Sequence, residues 1–147
     1  MLADAAAVVH VGLLGVWAGA MGYSLLVAQP RAAAFFSDDE EHESFLVALA
    51  HGNRWRVVAL LAAIAVSGVT WAVADDRLWG VQALRGLVLG AAAALFAYVS
   101  WRHWPARVFA LPQERPAFRT RLRAVAWTMA CLVGVLFASG LVLVATS

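Results

Sequence analysis

From Ala5 to Ala28 the chain runs through an apolar stretch that holds no Asp, Glu, Lys or Arg and a single histidine, His10. Roughly 20 such residues are what a helix needs to cross the hydrocarbon core of a bilayer, so the stretch predicts a membrane-spanning helix. Three further runs of comparable character follow, at about 55–74, 81–104 and 122–145. Hydrophobic residues make up 63% of the 147 positions and charged residues 14%, far from the balance of a soluble domain. The expectation is an all-α polytopic membrane protein. Its single domain, residues 1–147, is a four-transmembrane-helix antiparallel bundle with helices at about 5–28, 38–74, 81–109 and 117–145.

Local signals set the boundaries. Pro30 is expected to end the first helix, because proline has no N–H to give and crowds the preceding turn. The second helix is expected to start ahead of its apolar part, capped by Ser37 or Asp38. Its first turns carry Asp39, Glu40, Glu41 and Glu43, acids facing the positive end of the helix dipole, and they read as a solvated helix start. The short connection from Ala74 to Arg77 makes the second and third helices antiparallel neighbours. The third run closes on Trp101-Arg102-His103-Trp104-Pro105, an interfacial aromatic belt.

All eleven basic residues are arginine. Arg31, Arg54, Arg56, Arg102, Arg107, Arg115, Arg119, Arg121 and Arg123 fall on the side of the first and third connections; Arg77 and Arg85 fall on the other. The positive-inside rule then predicts a multi-pass protein of a bacterial inner (plasma) membrane with both termini outside. No basic stretch precedes the first run, which reads as a retained span and not as a cleaved signal. The two halves share no motif that aligns, beyond a loose two-plus-two hairpin arrangement.

Several function classes drop out. The arginines stand where topology requires them, so the net charge of +2 gives no reason to expect nucleic acid. Cys131 is the sole cysteine, which excludes an internal disulfide and a cysteine-based metal cluster. HExxH, GxSxG, CxxC and P-loop patterns are absent, so no enzyme class is indicated. The expected surroundings are the lipid bilayer, with the Gly15/Gly19 and Gly86/Gly90 pairs as faces for a homo-oligomer or a membrane partner.

His10, Trp17 and Met21 fall on one helical face, and a membrane-embedded histidine is expected to point into the bundle. At 1.5 Å per residue His10 and Arg85 lie at similar depth, roughly 9 and 10 Å to the outer side of the midplane, whereas His51 and His103 lie about 20 and 16 Å to the inner side. One site using all four histidines is therefore excluded. Two constellations remain. The outer one gathers His10, Trp17 and Arg85, with Tyr98 and hydroxyls such as Ser67 or Ser139; the inner one gathers His42, His51 and His103 near Glu43. Arg85 either snorkels outward or pairs with Asp75 or Asp76, or it supplies a fixed charge for an anionic group. Met21 is a candidate soft co-ligand to His10 for copper.

The segment VVHVGLLGVWAGAMGYSLLVAQPR, with His10, Trp17, Gly19 and the Pro30-Arg31 exit, resembles the opening helix of CopD-like (copper-resistance D) membrane proteins. Arg54 to Trp71 with Gly68, the turn at Trp79 and the entry through Arg121 and Arg123 extend the likeness over most of the chain. The resemblance implies copper handling or transport across the membrane. A more distant likeness to HemJ-type protoporphyrinogen oxidases implies haem b bound through the first-helix histidine, here His10. That family's third-helix lysine is matched by Arg85, which stays protonated and is a poor iron ligand. A non-catalytic scaffold or accessory subunit without cofactor is the remaining expectation.

Overall fold

The computed structural model describes residues 1–75 and 79–146. Its elements are all helical, and four rods are long and apolar enough to cross a membrane: Leu2–Phe35, Asp39–Ala74, Trp79–Val108 and Arg115–Thr146.

The first rod consists of α1 (Leu2–Tyr23), a wider π-type turn (Ser24–Ala28) and α2 (Gln29–Phe35). Pro30 thus lies inside the rod and does not end it, contrary to the sequence expectation. A proline ring collides with the carbonyl four residues earlier in a regular α-helix, at a cost of about 3 kcal/mol. The π turn just ahead of it opens the backbone and removes that conflict. The rod breaks at Phe36, whose backbone is extended (φ −84°, ψ 119°). Asp38 then caps α3 (Asp39–Ala74), its carboxylate accepting the Glu40 N–H at 3.1 Å.

The third rod repeats the device. α4 (Trp79–Tyr98) passes through a π turn (Val99–His103) into α5 (Trp104–Val108), with Pro105 just beyond the turn. Here the Ser100 carbonyl accepts a hydrogen bond from Arg54 Nη2 at 2.7 Å, which ties the turn to α3. α6 (Arg115–Thr146) completes the bundle.

α1 packs on α3 and α6, and α4 packs on α6 and α3. Residues early in α1 meet residues late in α3, and residues early in α4 meet residues late in α6, so each pair is antiparallel. Leu14, Trp17, Ile64, Ala92, Met129, Val133 and Leu136 form the central core, and Ala6, Ala7, Val11 and Trp71 a second cluster nearer the termini. Outside, the rods expose Val16, Leu26, Val66, Val73, Leu87 and Val142, among others. So continuous an apolar exterior suits hydrocarbon and not water.

The expectation that the halves share no motif is also corrected. Pro30 and Pro105 follow their π turns at the same interval. Aligning the two rods in sequence at their π turns sets Tyr23 against Tyr98, Gly15 against Gly90, Leu14 against Leu89, and His10 against Arg85. In the partner helices, Ser67-Gly68 falls on Ser139-Gly140, which brings Ile64 onto Leu136 and Trp55 onto Trp127. The α1–α3 and α4–α6 hairpins are two versions of one plan running in the same sense, as in membrane proteins built from parallel repeats.

Candidate functional site

The site lies toward the termini, where each hairpin holds one ionisable side chain in the same kind of cradle. In the first hairpin, His10 Nδ1 lies 3.0 Å from the Ile64 carbonyl and 3.2 Å from Ser67 Oγ. A carbonyl only accepts, so Nδ1 carries the proton, and in the neutral ring Nε2 carries the lone pair. Ser67 donates in turn to the Ala63 carbonyl at 2.8 Å and to the Ile64 carbonyl at 3.0 Å. Gly68 is required by contact: a Cβ there would stand 2.8 Å from His10 Cε1.

The second hairpin repeats this with a cation. Arg85 Nη1 donates to the Leu136 carbonyl at 3.0 Å and to Ser139 Oγ at 2.5 Å. A Cβ on Gly140 would lie 2.8 Å from Val11 Cγ2 and 3.0 Å from Arg85 Nη2. Trp71 joins the two cradles, its ring centroid 5.9 Å from that of His10 and 5.6 Å from the Arg85 guanidinium carbon.

Beside this pair lies a cavity of about 340 Å³. His10, Gln82 and Arg85 are its ionisable or amide-bearing lining, and its walls are otherwise apolar, with Leu14, Val69 and Leu89 among them. These three polar residues are 5%, 8% and 6% exposed. Gln82 stands one helical turn before Arg85 and so shares its face. Gln82 Nε2, Arg85 Nε and Arg85 Nη2 are buried without a hydrogen-bond partner. These three donors stand on residues that line one apolar cavity, and a ligand rich in acceptors would satisfy them, since a buried donor left unmade costs about 1–3 kcal/mol.

The structure brings His10 and Arg85 together with Ser67 and Ser139, and it adds Gln82 and Trp71, which sequence reasoning missed. A lone amide in an apolar run was the available signal for Gln82. Trp17 is buried in the central core and does not line the cavity. Met21 packs against that core on the same helix as His10, eleven residues and about 16 Å further along, so the two do not meet on one ion. Tyr98 lies beside His103, at 6.3 Å between ring centroids. Asp76, one partner expected for Arg85, and the turn residue Arg77 lie outside the described residues.

The inner histidines are dispersed. His42 stacks on Phe36 at 5.8 Å, and His51 is exposed. His103 is buried against Phe118, with Nε2 unpartnered. Among the described residues no group of three or more His, Cys, Asp or Glu gathers to hold a metal. Nor is the acidic helix start merely solvated. Glu43 accepts from Arg107 Nε at 2.8 Å and Nη2 at 2.7 Å and from Arg119 Nε at 2.9 Å, while Asp39 pairs with Arg119 and Arg115. The clamp fastens the projecting start of α3 to α5 and α6. Burial works against ionisation of Glu43, and the Arg107 and Arg119 hydrogen bonds outweigh it, holding the carboxyl below its ordinary range. The Arg119 hydrogen bond likewise lowers Asp39.

The donor set does not fit copper: His10 Nε2 is the one soft-metal donor at the cavity, and the Arg85 charge beside it repels a cation. Haem fits in part, since His10 Nε2 could serve as one axial ligand and Arg85 could pair with a carboxylate. No family model, curated protein or solved structure matches the chain.

Proposed function

We propose that the chain is an intramembrane binding protein that takes an amphiphilic, acceptor-bearing small molecule into the cavity beside His10, Gln82 and Arg85. The observation that carries this reading is the set of three buried, unpartnered donors on two residues, Gln82 and Arg85, that line an otherwise apolar cavity. The four apolar rods support membrane residence, and the arginine distribution supports a reading in which the termini, and with them the cavity, face the outer side of a bacterial inner membrane. Such a site serves a carrier or receptor of a lipid-soluble compound. The test is native mass spectrometry of the protein released gently from its membrane: a non-covalent small-molecule adduct present in the wild type and lost in Arg85→Met supports binding. An adduct-free protein that also takes up no added amphiphile refutes it.

A second reading is favoured by one observation, the Nδ1–H bond of His10 that leaves Nε2 free for a metal. In it the ligand is haem b, with His10 as axial ligand and Arg85 as partner to a carboxylate. An optical spectrum with elemental analysis decides: a Soret band lost in His10→Ala supports it, and a colourless protein after haem reconstitution removes it. Bound copper lost in the same variant would instead revive the copper-handling reading that the CopD-like resemblance implies.

A further inference from the structure

We infer that the head group taken by this cavity is a carboxylate, received side-on by Arg85; the inference rests on the binding role proposed above. The same chain shows how the Nε/Nη2 edge of one buried arginine is paired, although its Nη1 has no partner. Arg107, 4% exposed, presents its Nε/Nη2 edge to the two oxygens of Glu43, at 2.8 and 2.7 Å. Arg85 has the opposite pattern. Its Nη1 is taken up by the Leu136 carbonyl and Ser139, and its Nε/Nη2 edge has no partner. Two parallel N–H groups on one planar edge match the two oxygens of a carboxylate in spacing and direction.

Charge points the same way. Arg85 is buried, and among the described residues no carboxylate hydrogen-bonds to it, so an anion entering the cavity would neutralise a desolvated cation. Gln82, one helical turn before Arg85, lines the same cavity and carries a third unpartnered donor, Nε2. A phosphate monoester would bring more charge than this single guanidinium balances. The apolar walls formed by Leu14, Val69, Val73 and Leu89 suit an acyl chain or similar body. The ligand class is therefore a carboxylate with a long apolar tail.

The experiment compares hexadecanoate, hexadecanol and hexadecyl phosphate binding to the detergent-purified full chain, by native mass spectrometry with competition. Hexadecanoate is expected to bind on the order of tenfold or more tighter than hexadecanol, the value of roughly one charge-assisted hydrogen bond. Arg85→Lys keeps the charge but loses the fork, and should erase most of that preference. Gln82→Leu should weaken binding by a smaller factor, and both variants are checked for folding by their helical circular dichroism. Equal binding of hexadecanoate and hexadecanol, tighter binding of hexadecyl phosphate, or an undiminished carboxylate preference in folded Arg85→Lys would overturn the carboxylate assignment while leaving a binding cavity. Failure of all three probes to bind would overturn the binding role itself.

Discussion

His10 and Arg85 occupy matching positions of the two hairpins and are held in matching ways, each by a carbonyl and a serine hydroxyl one turn apart on the partner helix. In both cradles the residue after the serine is a glycine whose missing side chain makes room for the ionisable group. One architectural slot thus receives an imidazole in one half and a guanidinium in the other.

Removing the hydroxyls should have small and similar costs. Ser67→Ala and Ser139→Ala each delete one acceptor while the carbonyl remains, so each should lower stability by about 1 kcal/mol. Thermal unfolding in one detergent measures this, and a loss several times larger in one half would deny that the cradles are equivalent.

Adding a methyl group to the cradle should cost more. Gly68→Ala places a Cβ against the His10 ring, which must leave the Ile64 carbonyl. Destabilisation by about 1–3 kcal/mol is expected, the usual range for overpacking. The His10 ring proton resonances should move with it, whereas Gly52→Ala, where nothing lies close, should leave them unchanged.

Arg85→Met should separate stability from binding. The substitution removes a buried charge with unpaired donors, and Ser139 keeps its own bond to the Leu136 carbonyl at 3.1 Å. Exchange of a buried ionic group for an apolar one of similar size is often neutral or stabilising by about 1–4 kcal/mol. An unfolding temperature equal to or above that of the wild type, with binding abolished, is the expected outcome. A strongly destabilised variant would show instead that Arg85 is chiefly a structural tie.

Acid should loosen the clamp at the start of α3, in the part that precedes the membrane-crossing stretch. Glu43 and Asp39 ionise at lower pH in the folded protein than in the unfolded chain. The unfolded chain therefore binds protons first as pH falls, and acidification favours unfolding. The contribution is complete above the ordinary carboxylate range, around pH 4–5, and is lost progressively below it. Unfolding of wild type and Glu43→Gln from pH 3 to 7 should show the two curves far apart at neutral pH and converging toward pH 3.

The orientation is open to direct labelling. In a Cys131→Ser background, Asp4→Cys should be labelled by a membrane-impermeant thiol reagent in intact cells, whereas Glu114→Cys should be labelled only from the inner side, in inverted membrane vesicles. Reaction of both from one side would break the topology, and a reversed pattern would invert it.

Much of the architecture could be read from the chain because long apolar helices leave a strong and simple signal. Long apolar runs, the Asp38 cap and the similar depth of His10 and Arg85 all follow from length, rise and dipole. The course of the rods past Pro30 and Pro105 could not be read, because a π turn leaves no residue pattern of its own. The internal repeat stayed hidden for another reason. Its shared positions are few, mostly Leu, Gly and Ser in apolar surroundings, and its two most conspicuous residues, His10 and Arg85, differ in type. Gln82 and the arginine partners of Glu43 became evident once distant segments were placed side by side.

The paired π turns also give the bundle a mechanical grading. Near the termini, regular helices are pinned to one another by buried side-chain bonds; toward the other end, the first and third rods each pass through a π turn, the second of them tied to α3 by Arg54. Helices bend most readily where their regular hydrogen-bond ladder is interrupted. In a bilayer that thins or thickens, bending is expected first at Ser24–Ala28, and less at Val99–His103, which Arg54 ties to α3; both turns lie at the end of the bundle away from the cavity.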